Sequence, residues 1–525
     1  MLIFCKDCQE PQCLTVAVSA QKKYKLDIVE LNCGQIVDIM NKELSRSQVR
    51  TRFAPSPTGY MHIGGMRTAL YAYCFAKQNG GKFLLRLEDT DLERQVPDAD
   101  KVIYKSLKGA GLLYDEGPDV GGEYGPYVQS ERKQIYVDIA RQLIEQGDAY
   151  YCFCSKERLQ QLHLDGHTKY DKHCLKLDKS VAIERAKSEP CIVRQNIPIQ
   201  GQSCFEDGVF GTITVDNKDL EDNVLLKTDG MPTYNFANVV DDHLMGITHV
   251  IRGVEYLSST PKYNLLYEAL GWQIPQYIHL QPVMRDAQHK LSKRKGDPSF
   301  EDFLSKGYLG QAIINYIALL GWSGKEENEK YSLQQLVSKF SISGLSKSPS
   351  IFDEQKLKWL NSLYIKELSF DEFFEQALPF LSPLVDKWGI QRVDTKKLCS
   401  LLQSRCDVLS DVQHLTEFLK QDNFLAFDLN ILASQKQKIN LDLAKQILPK
   451  LHKLLSVEHC DLLEKLKQFS EQNGYKIAQT MWVLRVAITG SAVTPGGATD
   501  MVQVLGLATV LDRLSITIER LTNFV

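Results

Sequence analysis

The run Arg52-Phe-Ala-Pro-Ser-Pro-Thr-Gly-Tyr-Met-His62-Ile-Gly-Gly65 does most to limit what this chain can fold into. Phe53 and Ala54 end an apolar strand, Pro55 to Gly59 turns the chain, and Met66 to Ala76 is regular helical sequence. A strand that enters a helix through a tight Pro/Gly turn opens a βαβ unit, and Lys82-Phe-Leu-Leu-Arg-Leu-Glu88 supplies the next strand. The alternation from Arg52 to about Gly117 therefore predicts a parallel sheet, whose ligands gather at the carboxyl ends of its strands. Gly64 and Gly65 fall near the first helix N-terminus. There the missing Cβ atoms let backbone amides approach a phosphate, and the helix dipole favours its charge. His62 can donate to a phosphate oxygen whose charge grows in the transition state.

A second segment, His289-Lys290-Leu-Ser-Lys293-Arg294, puts three cations on a short stretch that ends in Lys295-Gly296-Asp297-Pro298. Lys290, Lys293 and Arg294 suit the clamping of a leaving pyrophosphate. Taken singly, each segment equally fits a Gly-rich turn with a surface histidine, or a solvated basic loop. Together, in this order, they imply ATP-dependent activation of a carboxylate. The length of 525 residues allows three or four domains with separate cores. A net charge of -3 provides no overall basic field, so any nucleic acid must be held by local patches. No apolar stretch reaches the roughly 18 residues a membrane span needs. The 13 scattered cysteines, odd in number, predict a reducing cytoplasm rather than a disulfide scaffold.

With these segments in view, the chain resembles the bacterial-type glutamyl-tRNA synthetases, a family of class I aminoacyl-tRNA synthetases. The two segments look like that family's HIGH and KMSKS motifs. The resemblance runs from about Ser45 to the C-terminus and includes Leu85-Arg-Leu-Glu-Asp-Thr-Asp91, Gly125-Pro-Tyr-Val-Gln-Ser130, Asp229 to Gly246 and Phe352 to Asn361. It implies a Rossmann-type α/β catalytic domain over 45–300 with an acceptor-binding insertion at about 118–225. An all-α stem-contact region over 301–369 and a helical anticodon-binding domain over 370–525 follow. It also implies that Arg52 and Arg252 hold the substrate carboxylates, that Tyr234 and Asn238 line the same pocket, and that Glu88 faces the amino group. Arginine suits this task because its planar fork binds a carboxylate through two hydrogen bonds. Ser56 is placed near the α-carboxylate, and Thr58, His62, Gly64, Gly65 and Lys293 at the ATP. At Tyr256 the family often has tryptophan; tyrosine keeps an aromatic face. Asp89 and Asp91 are expected to shape a turn.

Cys152-Phe-Cys154 and Tyr170-Asp-Lys-His-Cys174 form a candidate zinc site, since thiolates two residues apart can share one metal. Some family members hold zinc through Cys-x-Cys and Tyr-x-x-x-Cys, and others through a histidine two residues after the last cysteine. Lys176 occupies that position here, so the expected ligands are Cys152, Cys154, Tyr170 and Cys174, with His173 a substitute for Tyr170. The alternative is a chain that has lost zinc and keeps buried cysteines. Residues 1–44 precede the resemblance; their Cys5, Cys8, Cys13 and Cys33 match no defensible metal site, and no secretory or transit signal is evident. Met1 to Ile39 is read as a dispensable extension, with Met40 the alternative start.

Beyond the second motif, Ala312 to Trp322 has helical spacing of core residues, and Asp411 to Lys420 reads as one amphipathic run. The implied reaction has two steps. Glutamate attacks the α-phosphate of ATP with Mg2+, giving glutamyl-adenylate and pyrophosphate, and the terminal ribose hydroxyl of tRNA(Glu) then takes the glutamyl group. tRNA is expected to be needed for activation, and the enzyme to act as a monomer. Charging of tRNA(Gln) as well is the alternative scope. A glutaminyl-tRNA synthetase is disfavoured because its C-terminal part is built of β-barrels, and the shorter queuosine-glutamylating relative lacks that part.

Overall fold

The computed structural model describes residues 2–5, 28–31, 48–57, 61–91, 96–291, 297–325, 327–388, 393–457 and 461–524. Within them the chain forms two compact units. One draws on Met1–Phe300 and Ile317–Phe352, the other on Glu301–Tyr316 and Asp353–Val525. Thr58, Lys293, Arg294 and most of the N-terminal extension lie outside the described residues. The extension contributes one parallel pair, β1 (Leu2–Cys5) with β2 (Ile28–Leu31).

The first unit is built on parallel strands, as the βαβ spacing predicts. β3 (Arg50–Phe53) pairs in parallel with β4 (Lys82–Leu85), and α1 (Ile63–Gln78) crosses between them. α1 buries Met66, Ala69, Leu70, Ala72 and Cys74. β4 is shorter than the sequence suggests, because the chain leaves the ladder after Leu85 and Leu87 bridges to Val128 instead. The outward step keeps Arg86 and Glu88 on a buried side, where both have a charged partner.

The next stretch is antiparallel. After α2 (Lys133–Gln146), β5 (Ala149–Cys152), β6 (Ile192–Gln195) and β9 (Val224–Leu226) form one small sheet, and β7 (Gln202–Asp207) and β8 (Gly211–Asp216) make a hairpin. α3 (Tyr234–Leu244) then leads back to parallel pairing of β10 (His249–Gly253) with β11 (Gln276–Leu280), joined through α4 (Thr260–Ala269). β10 abuts β3, the Thr248 amide donating to the Arg50 carbonyl. β7 joins the far side of β11 in parallel, with Asp207 opposite Tyr277. A core of Tyr136, Phe236, Val239, Val240, Tyr263 and Leu266 fills the space between α2, α3 and α4.

The second unit is helical. Its longer helices include α5 (Glu354–Glu367), α6 (Phe370–Trp388), α7 (Leu441–Leu455), α8 (Ile477–Thr489), α9 (Ala498–Leu505) and α10 (Leu507–Thr522). Gly506 at φ 74° separates α9 from α10, a backbone setting that favours glycine. The Asp411–Lys420 run is not one helix: an α-turn over Asp411–Leu415 gives way to a tighter 3-10 turn over Glu417–Leu419. The break falls at Thr416, whose hydroxyl donates to the Val412 carbonyl. No single described helix is long and apolar enough to cross a membrane.

Candidate active site

Arg52, from β3, is buried at 4 % exposure and grips Asp242 of α3, with Nε to Oδ1 at 2.9 Å and Nη2 to Oδ2 at 3.2 Å. Its Nη1 donates to the Ile251 carbonyl at 3.3 Å. Arg86, which is fully buried, donates to the same Asp242 at 2.7 Å and to Glu88 at 3.0 Å. Neighbouring Asp241 takes Arg132 Nε at 2.7 Å, Gln129 Nε2 at 2.9 Å and the Tyr136 hydroxyl. Arg52, Arg86 and Arg132 thus meet Glu88, Asp241 and Asp242 in a charge-balanced buried network. Burial alone would raise the Asp242 carboxyl; the Arg52 and Arg86 guanidiniums outweigh it and hold it below the usual carboxylate range. At Glu88 burial wins over Arg86 and Arg52, and its pKa lies above the ordinary value.

Arg252, on β10, is just as buried but differently held. Its Nε donates to His279 Nε2 at 3.0 Å and its Nη2 to the Thr260 hydroxyl at 2.7 Å. Three tyrosine rings surround the guanidinium, Tyr256 at 5.5 Å, Tyr263 at 5.0 Å and Tyr277 at 5.1 Å. No ion pair to a carboxylate joins it among the described residues, and Nη1 has no hydrogen-bond partner there. Tyr234 stacks on Tyr256 with ring centroids 4.8 Å apart, so the aromatic face at position 256 is used. Asn238 donates to the Tyr234 carbonyl one helical turn earlier, a bond that does not engage its Oδ1. Burial and the Glu88 carboxylate both raise the Tyr234 hydroxyl, with Arg252 opposing them. Ser56 is exposed. Asp89 is a turn residue with a specific job: its carboxylate accepts from the Ser130 amide at 2.7 Å and hydroxyl at 2.6 Å, tying together two of the segments singled out in the sequence.

His62, from the first motif, is the N-cap of α1. The Gly64 amide donates to its Nδ1 at 2.9 Å. The proton is therefore assigned to Nε2, which donates to the Leu291 carbonyl at 3.0 Å. Leu291 belongs to the second motif, so the two motifs meet through this imidazole. Use of that donor on a phosphate requires the Leu291 carbonyl to give way. A Cβ on Gly64 would lie 3.1 Å from Nδ1 and crowd the cap, whereas one on Gly65 would find only ordinary contacts with Met61 and Phe53. No acidic residue occupies the first turn of α1, as an anion site requires. Lys290 is exposed and bridges to Met284.

The cysteine expectations converge on one place. The Sγ atoms of Cys152, Cys154 and Cys174 lie within 4.8 Å of one another. The Tyr170 hydroxyl sits 3.4 Å from Cys152 Sγ and 3.3 Å from Cys154 Sγ. Cys154 and Cys174 are 3.6 Å apart, close to the spacing of about 3.7 Å for two thiolates bound about 2.3 Å from a tetrahedral zinc. His173 is exposed, so Tyr170 and not His173 completes the cluster. Arg158 adds a cation, donating to Cys154 Sγ at 3.4 Å.

Sequence reasoning did not single out Arg86, Arg132, Asp241, Asp242, Asp207 or His279. One signal was present: Asp241 and Asp242 are consecutive acids directly after the apolar Val239 and Val240, and carboxylates buried on such a helix need cationic partners.

Known proteins resemble this chain over most of its length. The family described as tRNA synthetases class I (E and Q), catalytic domain, matches residues 48–359, and the anticodon binding domain matches residues 372–518. A glutamate–tRNA ligase of Clostridium botulinum is 49% identical over 492 residues, covering 91% of this chain and 100% of the relative. One from Clostridium acetobutylicum is 48% identical over 488 residues, with 91% and 100% covered. Among solved structures, a glutamate tRNA ligase from Elizabethkingia meningosepticum in complex with its amino acid superposes with a TM-score of 0.80 at 31% identity, covering 90% of this chain and 100% of that one. By its sequence, its fold and the segments that meet in its site, the chain belongs to the bacterial-type glutamate–tRNA ligases, a family of class I tRNA synthetases.

Proposed function

We propose that this chain activates L-glutamate with ATP as glutamyl-adenylate and transfers it to the 3′ end of tRNA(Glu). The observation that carries this reading is Arg252, a buried guanidinium held by neutral partners only. A buried charge without a counter-ion is costly, and a substrate carboxylate supplies the missing one. Glu88, with one oxygen on Arg86, offers the other to the substrate ammonium. Arg52, whose fork is committed to Asp242, has fewer free N–H groups and supports the second carboxylate from the remaining ones. Ser56, Tyr234 and Asn238 complete the amino-acid side.

ATP, which arrives with Mg2+, lies over the start of α1. The Gly65 amide and, once the Leu291 carbonyl gives way, the His62 Nε2–H are assigned to its phosphates, and the family likeness adds Thr58 to the ATP ligands. Lys290, Lys293 and Arg294 stabilise the pyrophosphate as it leaves. Attack by the ribose hydroxyl is then chiefly a matter of positioning. Cys152, Cys154, Tyr170 and Cys174 suit a structural zinc, which when bound fixes the loop between β5 and β6 and takes no part in the chemistry.

Glutamate charging of purified tRNA(Glu) and tRNA(Gln), run in parallel, tests the reading. Charging of the first alone means a discriminating enzyme, charging of both means that the misacylated glutamine tRNA must be corrected afterwards, and charging of neither overturns the proposal.

A further inference from the structure

We propose that Asp207 and His279 form a positioning pair that aims Arg252 at the substrate carboxylate by fixing the imidazole tautomer. The inference rests on the reading of Arg252 as a carboxylate ligand. Neither residue belongs to the motifs from which the family is recognised.

The geometry is a chain of three side chains. Asp207 Oδ2 lies 2.6 Å from His279 Nδ1, and His279 Nε2 accepts from Arg252 Nε at 3.0 Å. All three groups are buried. An arginine can only donate, so the imidazole nitrogen facing it must be unprotonated. The proton therefore sits on Nδ1, where Asp207 accepts it. Asp207 is itself fixed: its Oδ1 accepts from the amides of Val209 at 2.9 Å and Phe210 at 3.0 Å, and its Oδ2 also accepts from the His279 amide at 3.1 Å. The other edge of the guanidinium is held by Thr260, whose hydroxyl donates to the Tyr256 carbonyl at 2.9 Å and lies 3.4 Å from His279 Nε2. With Nε and one N–H of Nη2 engaged, both N–H groups of Nη1 and the second of Nη2 are left for a carboxylate.

The arrangement also gives a purpose to the β7–β8 hairpin. β7 reaches the catalytic strands through one residue pair, Asp207 opposite Tyr277, and the Gly208 amide donates to the Tyr277 carbonyl at 2.8 Å. Its last residue thereby delivers a carboxylate to His279 of β11.

The test exploits what an amide does in place of the carboxylate. To keep the two backbone donors of Val209 and Phe210, the side chain introduced by Asp207→Asn leaves its oxygen where Oδ1 was and turns its NH2 toward His279 Nδ1. The imidazole is then driven to the Nε2–H tautomer, donor against donor with Arg252. In the full-length enzyme, Asp207→Asn is expected to raise the KM for glutamate by about ten- to hundredfold, with the KM for ATP nearly unchanged. His279→Gln retains an amide oxygen near the old Nε2 position and has no tautomers, so Asp207→Asn should add little in that background. An equal effect of Asp207→Asn in both backgrounds would make Asp207 a merely structural residue and overturn the pair. Arg252→Ala separates the two levels of argument. If it leaves the glutamate KM unchanged, the reading of Arg252 fails; if it raises it while Asp207→Asn does not, only the positioning pair fails. Should Asp207→Asn not fold, 15N-histidine NMR of the unmodified protein, with His279 assigned by its loss in His279→Gln, decides the matter. An Nδ1–H imidazole is expected, and an Nε2–H or doubly protonated ring would overturn the proposal.

Discussion

Arg52 and Arg252 are equivalent as letters in the sequence, and their partners make them different. Arg52 is neutralised by Asp242, whereas Arg252 is surrounded by hydroxyl, imidazole and aromatic faces. The two should therefore respond differently to substitution. Arg52→Ala strands Asp242 and Arg86 in an unbalanced network and is expected to lower folding stability, while Arg252→Ala should act mainly on substrate binding. Glu88 makes a second prediction at this scale. Its folded pKa is raised, so between its ordinary value and that raised value the free enzyme holds a proton there which the unfolded chain has lost. In that window ionising Glu88 costs folding stability, and the substrate ammonium needs it ionised. The KM for glutamate should rise as pH falls through the raised pKa, and Glu88→Gln should flatten that limb; an acid limb that survives Glu88→Gln assigns it to another group.

Between elements, the paired acids of α3 do the joining. Asp242 binds Arg52 of β3 and Arg86 beyond β4, and Asp241 binds Arg132 just ahead of α2. Removing one partner of a buried ion pair leaves the other charge uncompensated, so Asp242→Asn is expected to destabilise the first unit by about 3–5 kcal/mol, measured by urea unfolding. The cysteine cluster makes a separate prediction. Protein purified without chelator should hold about one zinc per chain, and Cys174→Ser should lose it together with part of the melting temperature. A metal-free protein with an unchanged melt would favour the reading of these residues as buried thiols alone. The sequence was informative for the strand–turn–helix opening, because Pro, Gly and apolar spacing act locally. It was less so for Asp411 to Lys420, where periodicity pointed to one helix and the backbone tightens into a 3-10 turn after Thr416.

For the whole chain, the motifs announced the chemistry more clearly than the supports behind it. His62 and Gly64 were legible from the strand–turn–helix pattern, and Arg52 and Arg252 from the family likeness. Asp207 and His279 were not, since they are 72 residues apart and become neighbours only when the β7–β8 hairpin lies against β11. Long-range pairs of this kind leave no local periodicity. The anticodon binding domain matches residues 372–518, within the helical second unit, and the proposed reaction expects tRNA to be present before activation. Pyrophosphate exchange driven by glutamate is accordingly expected only when tRNA(Glu) is added, and exchange without it would show that activation proceeds independently of tRNA.

The most direct test is the steady-state charging of tRNA(Glu) by the unmodified chain and by Arg252→Ala, with glutamate and ATP varied in turn. The proposed site predicts a KM for glutamate raised by about a hundredfold, through loss of a buried charge-assisted contact, and a KM for ATP that stays within about twofold. An unchanged glutamate KM, or equal losses toward both substrates, would contradict it.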